Sequence, residues 1–380
     1  MGLTNPIWAS PTKYLRARNP EESILFLDPA ALAQTYLKFR SEFPGLTTYA
    51  VKANPDPHVI KSLALLGVHT FDVASPAEID LVRSICPKAT LHYHNPIRSR
   101  HEIRAAAKQD VQSYSVDCAS ELIKLAEELP ERSVEIAVRF ALPLDGASYD
   151  FGSKFGATPD HAVDLLRQAT NLGFQPTLTF HPGTQCTAPS VWTEYIRVAA
   201  DIANRAGITL SRLNVGGGFP CGRDGLDHDL SLIFQSIADA QTTHFPSGAT
   251  EFVCEPGRAL VSDAFSLAIM VKAKRGGDLF LADGVYGSLS EQNQIGLTRK
   301  FDVVSTETKT TSETPQDWRV FGPTCDSLDV LFDHVPLPGC IDEGDYVLFH
   351  SLGAYSTAMA TRFNGYGQAQ IVTVDRLTDS

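Results

Sequence analysis

Residues 47–75 are TTYAVKANPDPHVIKSLALLGVHTFDVAS, and this stretch contains the signals for one strand, one helix and the next strand. Residues 47–50 and 69–74 are rich in β-branched and aromatic side chains, as strands are. Between them, Asp56 precedes Pro57, a pair suited to cap and begin a helix. Gly67 stands where a left-handed residue would end that helix. The stretch therefore predicts one β/α unit.

The same unit recurs along the chain. β-rich runs begin at residues 47, 69, 91, 113, 134, 176, 212 and 251, so that the first four spacings are 22, 22, 22 and 21 residues. Helix signals follow the runs, among them Ser75 before Pro76 and Thr158 before Pro159. Eight alternating strands and helices predict a closed parallel (β/α)8 barrel of the TIM type, although an open doubly wound sheet shares this alternation. The barrel is favoured because the unusual polar residues fall at the ends of the strands.

The β/α rhythm stops near residue 262. Beyond it, short strands alternate without long amphipathic helices, which is typical of an all-β domain, and they are predicted at 264–274, 279–282, 301–305, 318–321, 345–350 and 370–374. Residues 1–35 precede the first barrel strand and are expected to join that domain. We therefore predict a barrel domain over residues 36–262 and a C-terminal β domain over residues 263–380.

Composition excludes several classes of protein. Of 380 residues, 43% are hydrophobic, and the net charge of -12 disfavours a surface for nucleic acid, which needs clustered lysine and arginine. No stretch approaches the ~20 apolar residues of a membrane span, and the first twenty residues lack the apolar segment of a signal peptide, so the expected location is the cytoplasm. The seven cysteines are scattered without a CxxC pair, which predicts neither disulfides nor a metal site.

Three features at strand ends point to one chemistry, because the carboxyl ends of barrel strands carry the catalytic residues. Lys52 follows the first strand, where a loss of hydration would make its amine nucleophilic, and Glu255 follows the eighth. The glycines at 216–218 and the pair Gly257-Arg258 lie in the loops after strands seven and eight, where barrels hold phosphate. Taken singly, a solvated lysine, an ion pair and a turn explain them as well. Together they describe a site for pyridoxal phosphate.

Other polar residues at strand ends are ambiguous when taken alone. His181 could stack on a flat cofactor ring, but a lone histidine is more often structural. Asp72 and Arg139 are isolated charges at the ends of strands two and five.

A set of motifs, in this order, resembles the fold-type III pyridoxal-phosphate decarboxylases, in particular the ornithine decarboxylase branch. The resemblance covers nearly the whole chain and implies the alanine-racemase-like arrangement of a barrel followed by a β domain. The motifs are YAVK (49–52), FDVAS (71–75), FHPGT (180–184), NVGGGFP (214–220), EPGR (255–258), DGVYGS (283–288), GPTCDSLD (322–329) and GAY (353–355).

The resemblance implies roles for residues of the barrel and of the loops that follow it. Lys52 matches the lysine that bonds covalently to the cofactor, Glu255 the carboxylate that holds the ring nitrogen protonated, and His181 the histidine that stacks on the ring. Asp72 and Arg139 match polar neighbours of the bond to Lys52. The implied phosphate cradle consists of Gly216, Gly217, Gly218, Gly257, Arg258, Tyr355 and Thr184, the last of which stands where the family usually has serine.

The resemblance also implies a homodimer with shared active sites. Cys325 matches the acid that returns a proton to Cα, and Asp326 matches the anion that pairs with the distal amine of a basic amino acid; both would come from the second subunit. Phe363 resembles an aromatic residue of the interface near the substrate, although a core phenylalanine is an equal alternative. The implied reaction is decarboxylation of a basic L-amino acid, with ornithine as the leading substrate and polyamine biosynthesis as the implied pathway.

One segment departs from the ornithine pattern. Where the eukaryotic enzymes place a second aspartate near the distal amine, an ungapped alignment places Ile295. Glu291 is the predicted substitute, or Gln292 and Asn293 bind an uncharged or modified side chain. Lysine, arginine and diaminopimelate decarboxylases, an amino-acid racemase and a non-catalytic protein of the antizyme-inhibitor kind are the alternatives.

Overall fold

The computed structural model describes residues 7–129, 132–143, 154–306 and 314–379. Within them the chain forms two compact units. The barrel unit comprises Tyr36–Pro220 and His228–Gly257. The β unit comprises Met1–Thr35, Cys221–Asp227 and Arg258–Ser380, as far as these are described.

The barrel unit is built on parallel strands that pair in chain order and return on themselves. The first barrel strand is interrupted at Thr48. Its first half pairs with the eighth barrel strand, and its second half pairs with the second barrel strand. The Thr48 amide and hydroxyl both donate to the Cys254 carbonyl across this junction. The predicted TIM-like barrel is confirmed, and the open sheet is excluded. Its strands are Leu46–Thr47 with Tyr49–Ala50, Thr70–Val73, Thr90–Tyr93, Ser113–Val116, Glu135–Arg139, Gln175–Thr179, Arg212–Asn214 and Glu251–Cys254.

Helices alternate with the strands, and three of them begin at caps that the sequence predicts. The side chains of Asp56, Ser75 and Thr158 each accept a hydrogen bond from the backbone of the first helical turn, one residue before a proline. Glu78 accepts from the amide of Ala74, the residue before the Ser75 cap, at 2.8 Å. The helices are Pro29–Glu42, Pro57–Leu65, Pro76–Ile85, Arg100–Lys108, Ala119–Glu128, Pro159–Asn171, Pro189–Ala206 and Leu230–His244.

The β unit contains a mixed sheet. Its strands pair in the order Phe301–Val304, Tyr346–His350, Phe265–Arg275, Asp278–Leu281, Pro315–Phe321 and Val335–Pro338, while Ile24–Leu27 pairs with both Phe265–Arg275 and Gln370–Thr373. Val335–Pro338 escapes prediction because two of its four residues are prolines, which an edge position tolerates. Short helices at Pro11–Arg18, Arg258–Val261 and Gln292–Ile295 complete the unit. Among the described residues, no helix is long and apolar enough to cross a membrane.

Candidate active site

A cavity of about 440 Å³ opens at the carboxyl ends of the barrel strands. Five residues that the sequence singled out line it together: Lys52, Asp72, Arg139, His181 and Glu255. They come from strands far apart in the chain, and the closed barrel brings them to one mouth. The clustering is the geometry that a barrel active site requires.

Lys52 lies on a short 3-10 turn, Val51–Ala53, directly after the first barrel strand. Its side chain is exposed at the cavity, whereas Val51 and Ala53 on either side are buried. The Lys52 amine was expected to be shielded from water, but it is exposed. A ligand that fills the cavity would supply that desolvation.

His181 follows strand Gln175–Thr179 and is held as a neutral ring. The Gly183 amide donates to Nδ1 at 3.1 Å, so the proton of the neutral ring is on Nε2. Burial and the nearby Arg139 guanidinium lower the pKa of His181 well below its usual value. An uncharged imidazole is suited to lie against a cationic aromatic ring.

Glu255 accepts hydrogen bonds from His94 Nδ1 and Asn214 Nδ2 on its Oε1. Burial alone would raise the pKa of this carboxyl, but the His94 imidazolium and these two hydrogen bonds lower it to about 2. Glu255 is therefore an anion fixed in the floor of the cavity. A protonated ring nitrogen is the partner that such an anion fits.

Asp72 has the opposite character. Burial, and then repulsion from Glu255, raise the pKa of Asp72 to about 8, against the attraction of His94 and Lys52. Two carboxyl groups in one cavity thus differ in charge at neutral pH, one ionised and one protonated.

The raised pKa of Asp72 predicts a pH-dependent stability for the cofactor-free protein. The unfolded chain releases the Asp72 proton near pH 3.8 and the folded chain near pH 8, so the free energy of unfolding falls as the pH rises between these values. Asp72→Asn should remove this loss and raise the unfolding free energy at pH 8 by on the order of 5 kcal/mol, with little gain at pH 4. Urea unfolding at both pH values measures the difference. An equal effect of the substitution at pH 4 and pH 8 would show that Asp72 ionises normally.

The glycines at 216–218, in the loop after strand seven, allow the backbone to pack closely against neighbouring residues of the cavity. Gly216 has a φ of 72°, and a Cβ on Gly217 would lie 2.7 Å from the Glu255 carbonyl oxygen and 3.4 Å from His181 Nε2. Gly257 packs in the same way, because its Cβ would lie 2.8 Å from the Ala53 side chain. Side chains here would fill the space beside the cavity residues. Thr184 lies half-buried in the loop after His181.

In the β unit, Arg258 forms a buried ion pair with Glu291, in which both terminal nitrogens of Arg258 reach the carboxylate. The guanidinium also lies 4.8 Å from the centre of the Tyr355 ring. The third nitrogen, Nε, is buried and has no hydrogen-bond partner among the described residues. A phosphate oxygen would satisfy this donor, so Arg258 fits the predicted phosphate contact.

This ion pair argues against the predicted substrate contacts of the segment after residue 288. Glu291 is occupied by Arg258, Gln292 accepts from Arg223 and from the Thr298 amide, and Asn293 bridges Val330 and Phe332. These three side chains are thus paired within the β unit. Sequence spacing could not show these pairings, because their partners lie up to 69 residues away.

Breaking the Arg258–Glu291 pair should be costly. Glu291→Gln removes one partner of a buried ion pair and is expected to destabilise the cofactor-free protein by about 3 kcal/mol. Inorganic phosphate should then stabilise the variant more than the wild type, because Arg258 is left unpaired. Thermal unfolding with and without phosphate measures both effects. The control is Glu194→Gln, which breaks an exposed pair with Arg197 and should cost less than about 1 kcal/mol; equal losses in the two variants would contradict the account.

Cys325, Asp326 and Phe363 gather around Tyr286 and Asn364 in the β unit. The Tyr286 hydroxyl donates to Asp326 at 2.6 Å and, with the Leu328 amide, lowers the pKa of the Asp326 carboxyl. Cys325 is exposed, and its Sγ lies 3.5 Å from Asn364 Oδ1. Phe363 is 44% exposed and packs against the Tyr286 ring, so the alternative of a core phenylalanine is wrong.

Sequence reasoning missed three residues that form hydrogen bonds with the predicted site residues Glu255 and Asp326. His94 and Asn214 hold Glu255, and Tyr286 holds Asp326. His94 and Asn214 lie at the ends of barrel strands, the same signal that identified Lys52 and Glu255. Tyr286 lies within a motif already noted, but nothing in its spacing indicates which carboxylate it contacts.

Comparison with known proteins agrees with the resemblance found in the sequence. Residues 30–262 match the family model described as the pyridoxal binding domain of the pyridoxal-dependent decarboxylases. A lysine/ornithine decarboxylase of Selenomonas ruminantium is 33% identical over 84% of this chain and 80% of its own length. The ornithine decarboxylase of Mus musculus is 30% identical over 93% and 81%, and antizyme inhibitor 2 of Xenopus laevis is 31% identical over 92% and 80%.

Solved structures agree over nearly the full length. The arginine decarboxylase of Paramecium bursaria Chlorella virus, bound to agmatine, has a TM-score of 0.85 at 26% identity and covers 94% of this chain and 98% of its own. A lysine/ornithine decarboxylase of Vibrio vulnificus with cadaverine has a TM-score of 0.80 at 28% identity, over 93% and 95%. The predicted family, fold class, pyridoxal phosphate cofactor and decarboxylase class are confirmed. The chain belongs to the pyridoxal-dependent decarboxylases that act on basic amino acids.

Proposed function

We propose that this protein decarboxylates L-ornithine to putrescine, a diamine precursor of polyamines, with the cytoplasm as its expected location. The observation that carries the proposal is the cavity in which Lys52, His181 and Glu255 meet. When bound there, the cofactor supplies an electron sink for the pair left on Cα as carbon dioxide departs.

Each of the barrel residues would have a defined role. Lys52 Nζ is the point of covalent attachment, His181 presents a neutral ring face, and the Glu255 carboxylate holds a proton on the ring nitrogen. Asp72 and Arg139 are proposed as polar neighbours of Lys52. For Arg258, Tyr355, Thr184 and the glycines at 216–218 and 257, the role at the phosphate stays a prediction, supported for Arg258 by its unpaired Nε.

Residues of the β unit would handle the substrate. Asp326 is kept ionised by its hydrogen bonds and is the proposed partner of the distal amine, while the Cys325 thiol is proposed to return the proton to Cα. Because Glu291 is paired with Arg258, Asp326 is the one anion that we assign to the substrate. A single charge contact predicts a weaker preference for ornithine over lysine than two contacts would give.

A panel of ornithine, lysine, arginine and diaminopimelate, with release of carbon dioxide as the readout, tests the substrate. We expect ornithine to have the highest kcat/KM and lysine to follow. Retention of the carboxyl group with loss of optical rotation would instead indicate a racemase. Highest turnover of diaminopimelate would contradict the role of Asp326.

Asp326→Asn should weaken turnover of basic substrates selectively. Losing one desolvated charge contact costs roughly 2–5 kcal/mol, so kcat/KM for ornithine should fall at least about 30-fold. The matched control is Asp333→Asn, which changes an exposed aspartate of the same segment and should leave kcat/KM near the wild-type value. Equal kcat/KM values for Asp326→Asn and wild type would remove Asp326 from the substrate site.

We further propose a homodimer in which Cys325 and Asp326 complete the partner's site. The β unit exposes large apolar side chains beside them, with Leu328 68% and Phe332 74% exposed. Such side chains are typical of a surface that is covered in an assembly. The mass in solution, measured by light scattering, should be twice the 41.3 kDa of the chain.

A non-catalytic role like that of an antizyme inhibitor is the second candidate, since one such protein is 31% identical. It is less favoured because this chain keeps Lys52, His181, Glu255, Cys325 and Asp326. Purified protein that binds no pyridoxal phosphate and releases no carbon dioxide from any substrate of the panel would revive it.

A further inference from the structure

A series of hydrogen-bonded polar side chains continues below Glu255 into the barrel. His94 Nδ1 bonds to Glu255, and His94 Nε2 lies 2.8 Å from Ser113 Oγ. Ser113 Oγ is in turn 2.8 Å from Glu135 Oε1, and Arg212 donates to the other oxygen of Glu135 at 3.0 Å. The series runs from the carboxyl ends of the strands to their amino ends, where Ser113, Glu135 and Arg212 are each the first residue of a strand.

The amino end of the series reaches solvent. His92, Glu135 and Arg212 line a polar cavity of about 570 Å³, whose walls include the exposed residues Lys108 and Asp110. A barrel interior is normally filled by branched apolar side chains. Glu255 is therefore connected to two openings, the predicted cofactor cavity and this second one.

The hydrogen-bond donors determine the protonation of His94. The Ser113 hydroxyl has one proton and donates it to Glu135, so it accepts from His94 Nε2–H. The Glu255 carboxylate can only accept, so His94 Nδ1 also carries a proton. His94 is thus an imidazolium without cofactor; burial opposes this charge, but Glu255 outweighs burial and raises the pKa of His94.

Other groups around His94 are compatible with this charge. Asp72 Oδ1 lies 4.0 Å from Nδ1, and the His92 ring stacks at 5.2 Å. Burial and the neighbouring imidazolium lower the pKa of His92 to about 3, so it adds no competing charge at neutral pH. Asn214 Nδ2 is 3.2 Å from His94 Nδ1 and can donate to it when that nitrogen loses its proton. Both protonation states of His94 are therefore hydrogen-bonded.

A bound cofactor changes the charge that Glu255 faces. One carboxylate then has two cations beside it, the His94 imidazolium and a protonated ring nitrogen, and these repel each other. Loss of one proton relieves the repulsion. His94 has a satisfied neutral form, whereas the ring nitrogen must stay protonated for the reaction.

We propose that His94 is a positioning residue that gives up one proton when pyridoxal phosphate binds, so that the Glu255 carboxylate faces a single cation, the protonated ring nitrogen. The free cofactor already carries a proton on its ring nitrogen near neutral pH, so the Nδ1 proton of His94 would leave to solvent. His94 would be left neutral with its proton on Nε2, and Asn214 Nδ2 would donate to Nδ1. The inference rests on the proposed function of Glu255.

The test counts protons when pyridoxal phosphate binds to the full cofactor-free chain. Calorimetry at pH 7 in buffers of different ionisation enthalpy gives the number of protons taken up or released. We expect the wild type to release about one proton more per chain than His94→Gln, because glutamine has no such proton to give up. His92→Gln is the matched control, since this neutral histidine has no hydrogen bond to Glu255 among the described residues, and it should match the wild type.

A second measurement does not depend on a folded variant. In wild-type protein labelled with ¹⁵N-histidine, His94 should show two protonated ring nitrogens without cofactor and one after cofactor is added. Equal proton release by wild type and His94→Gln, or an unchanged His94 spectrum, would overturn the inference while leaving the proposed function intact. Absence of cofactor binding in the wild type would instead overturn the proposed function itself.

Discussion

Lys52→Ala protein should release carbon dioxide from ornithine at least about 10⁴-fold more slowly than the wild type, the scale on which loss of a covalent catalytic group acts. Lys52 is exposed at the cavity that also holds Asp72, His181 and Glu255. Lys154 also lines the cavity, but it lies outside the barrel strands and does not occupy the position of Lys52 after the first strand. The rate is measured at saturating substrate and cofactor, so that weaker binding does not disguise the effect.

Two comparisons make this result specific. Lys61→Ala changes an exposed lysine of helix Pro57–Leu65 and should retain wild-type turnover. In a shared-site dimer, mixing Lys52→Ala chains with Cys325→Ala chains should restore about a quarter of the wild-type rate, because half of the dimers then contain one intact site. Turnover by Lys52→Ala alone at the wild-type rate would refute the role of Lys52.

Glu255→Gln should lower kcat by roughly 10²–10³-fold, as expected when one preorganised charge opposite a developing charge is lost. The substitution keeps the shape and the hydrogen bond from Asn214 but removes the negative charge that the ring nitrogen requires. KM should change little, because the carboxylate does not contact the substrate in our assignment. Steady-state kinetics with cofactor content checked by absorbance provide the measurement.

The control for this second prediction is again Glu194→Gln, which alters a partly exposed glutamate of a barrel helix. It should leave kcat at the wild-type level. A Glu255→Gln protein that binds cofactor fully and keeps the wild-type kcat would show that the ring nitrogen does not depend on this carboxylate.

Much of the barrel could be predicted from the sequence. Each β/α unit carries its own local signals, such as Asp56 before Pro57, and these act over a few residues. The interruption of the first strand at Thr48 could not be predicted, because it depends on the Cys254 carbonyl, which accepts from Thr48 only after the barrel closes. The strand Val335–Pro338 could not be predicted, because two of its four residues are prolines, which are rare in strands.

The residues of the candidate site likewise include some that the sequence predicts and some that it does not. The rule that polar residues end barrel strands identified Lys52 and Glu255 correctly as cavity residues. His94 satisfies the same rule, because it directly follows the third barrel strand, Thr90–Tyr93. The pairing of Glu291 with Arg258 lay beyond prediction, since a charged residue in a loop gives no sign of which distant partner it will find.

We propose that Lys52 holds pyridoxal phosphate covalently. Borohydride reduction of the wild-type protein with its cofactor fixes the carbon–nitrogen bond, and peptide mass spectrometry then locates the phosphopyridoxyl group. We expect this group on Lys52. Its presence on Lys154, which also lines the cavity, or on no lysine at all, would contradict the account.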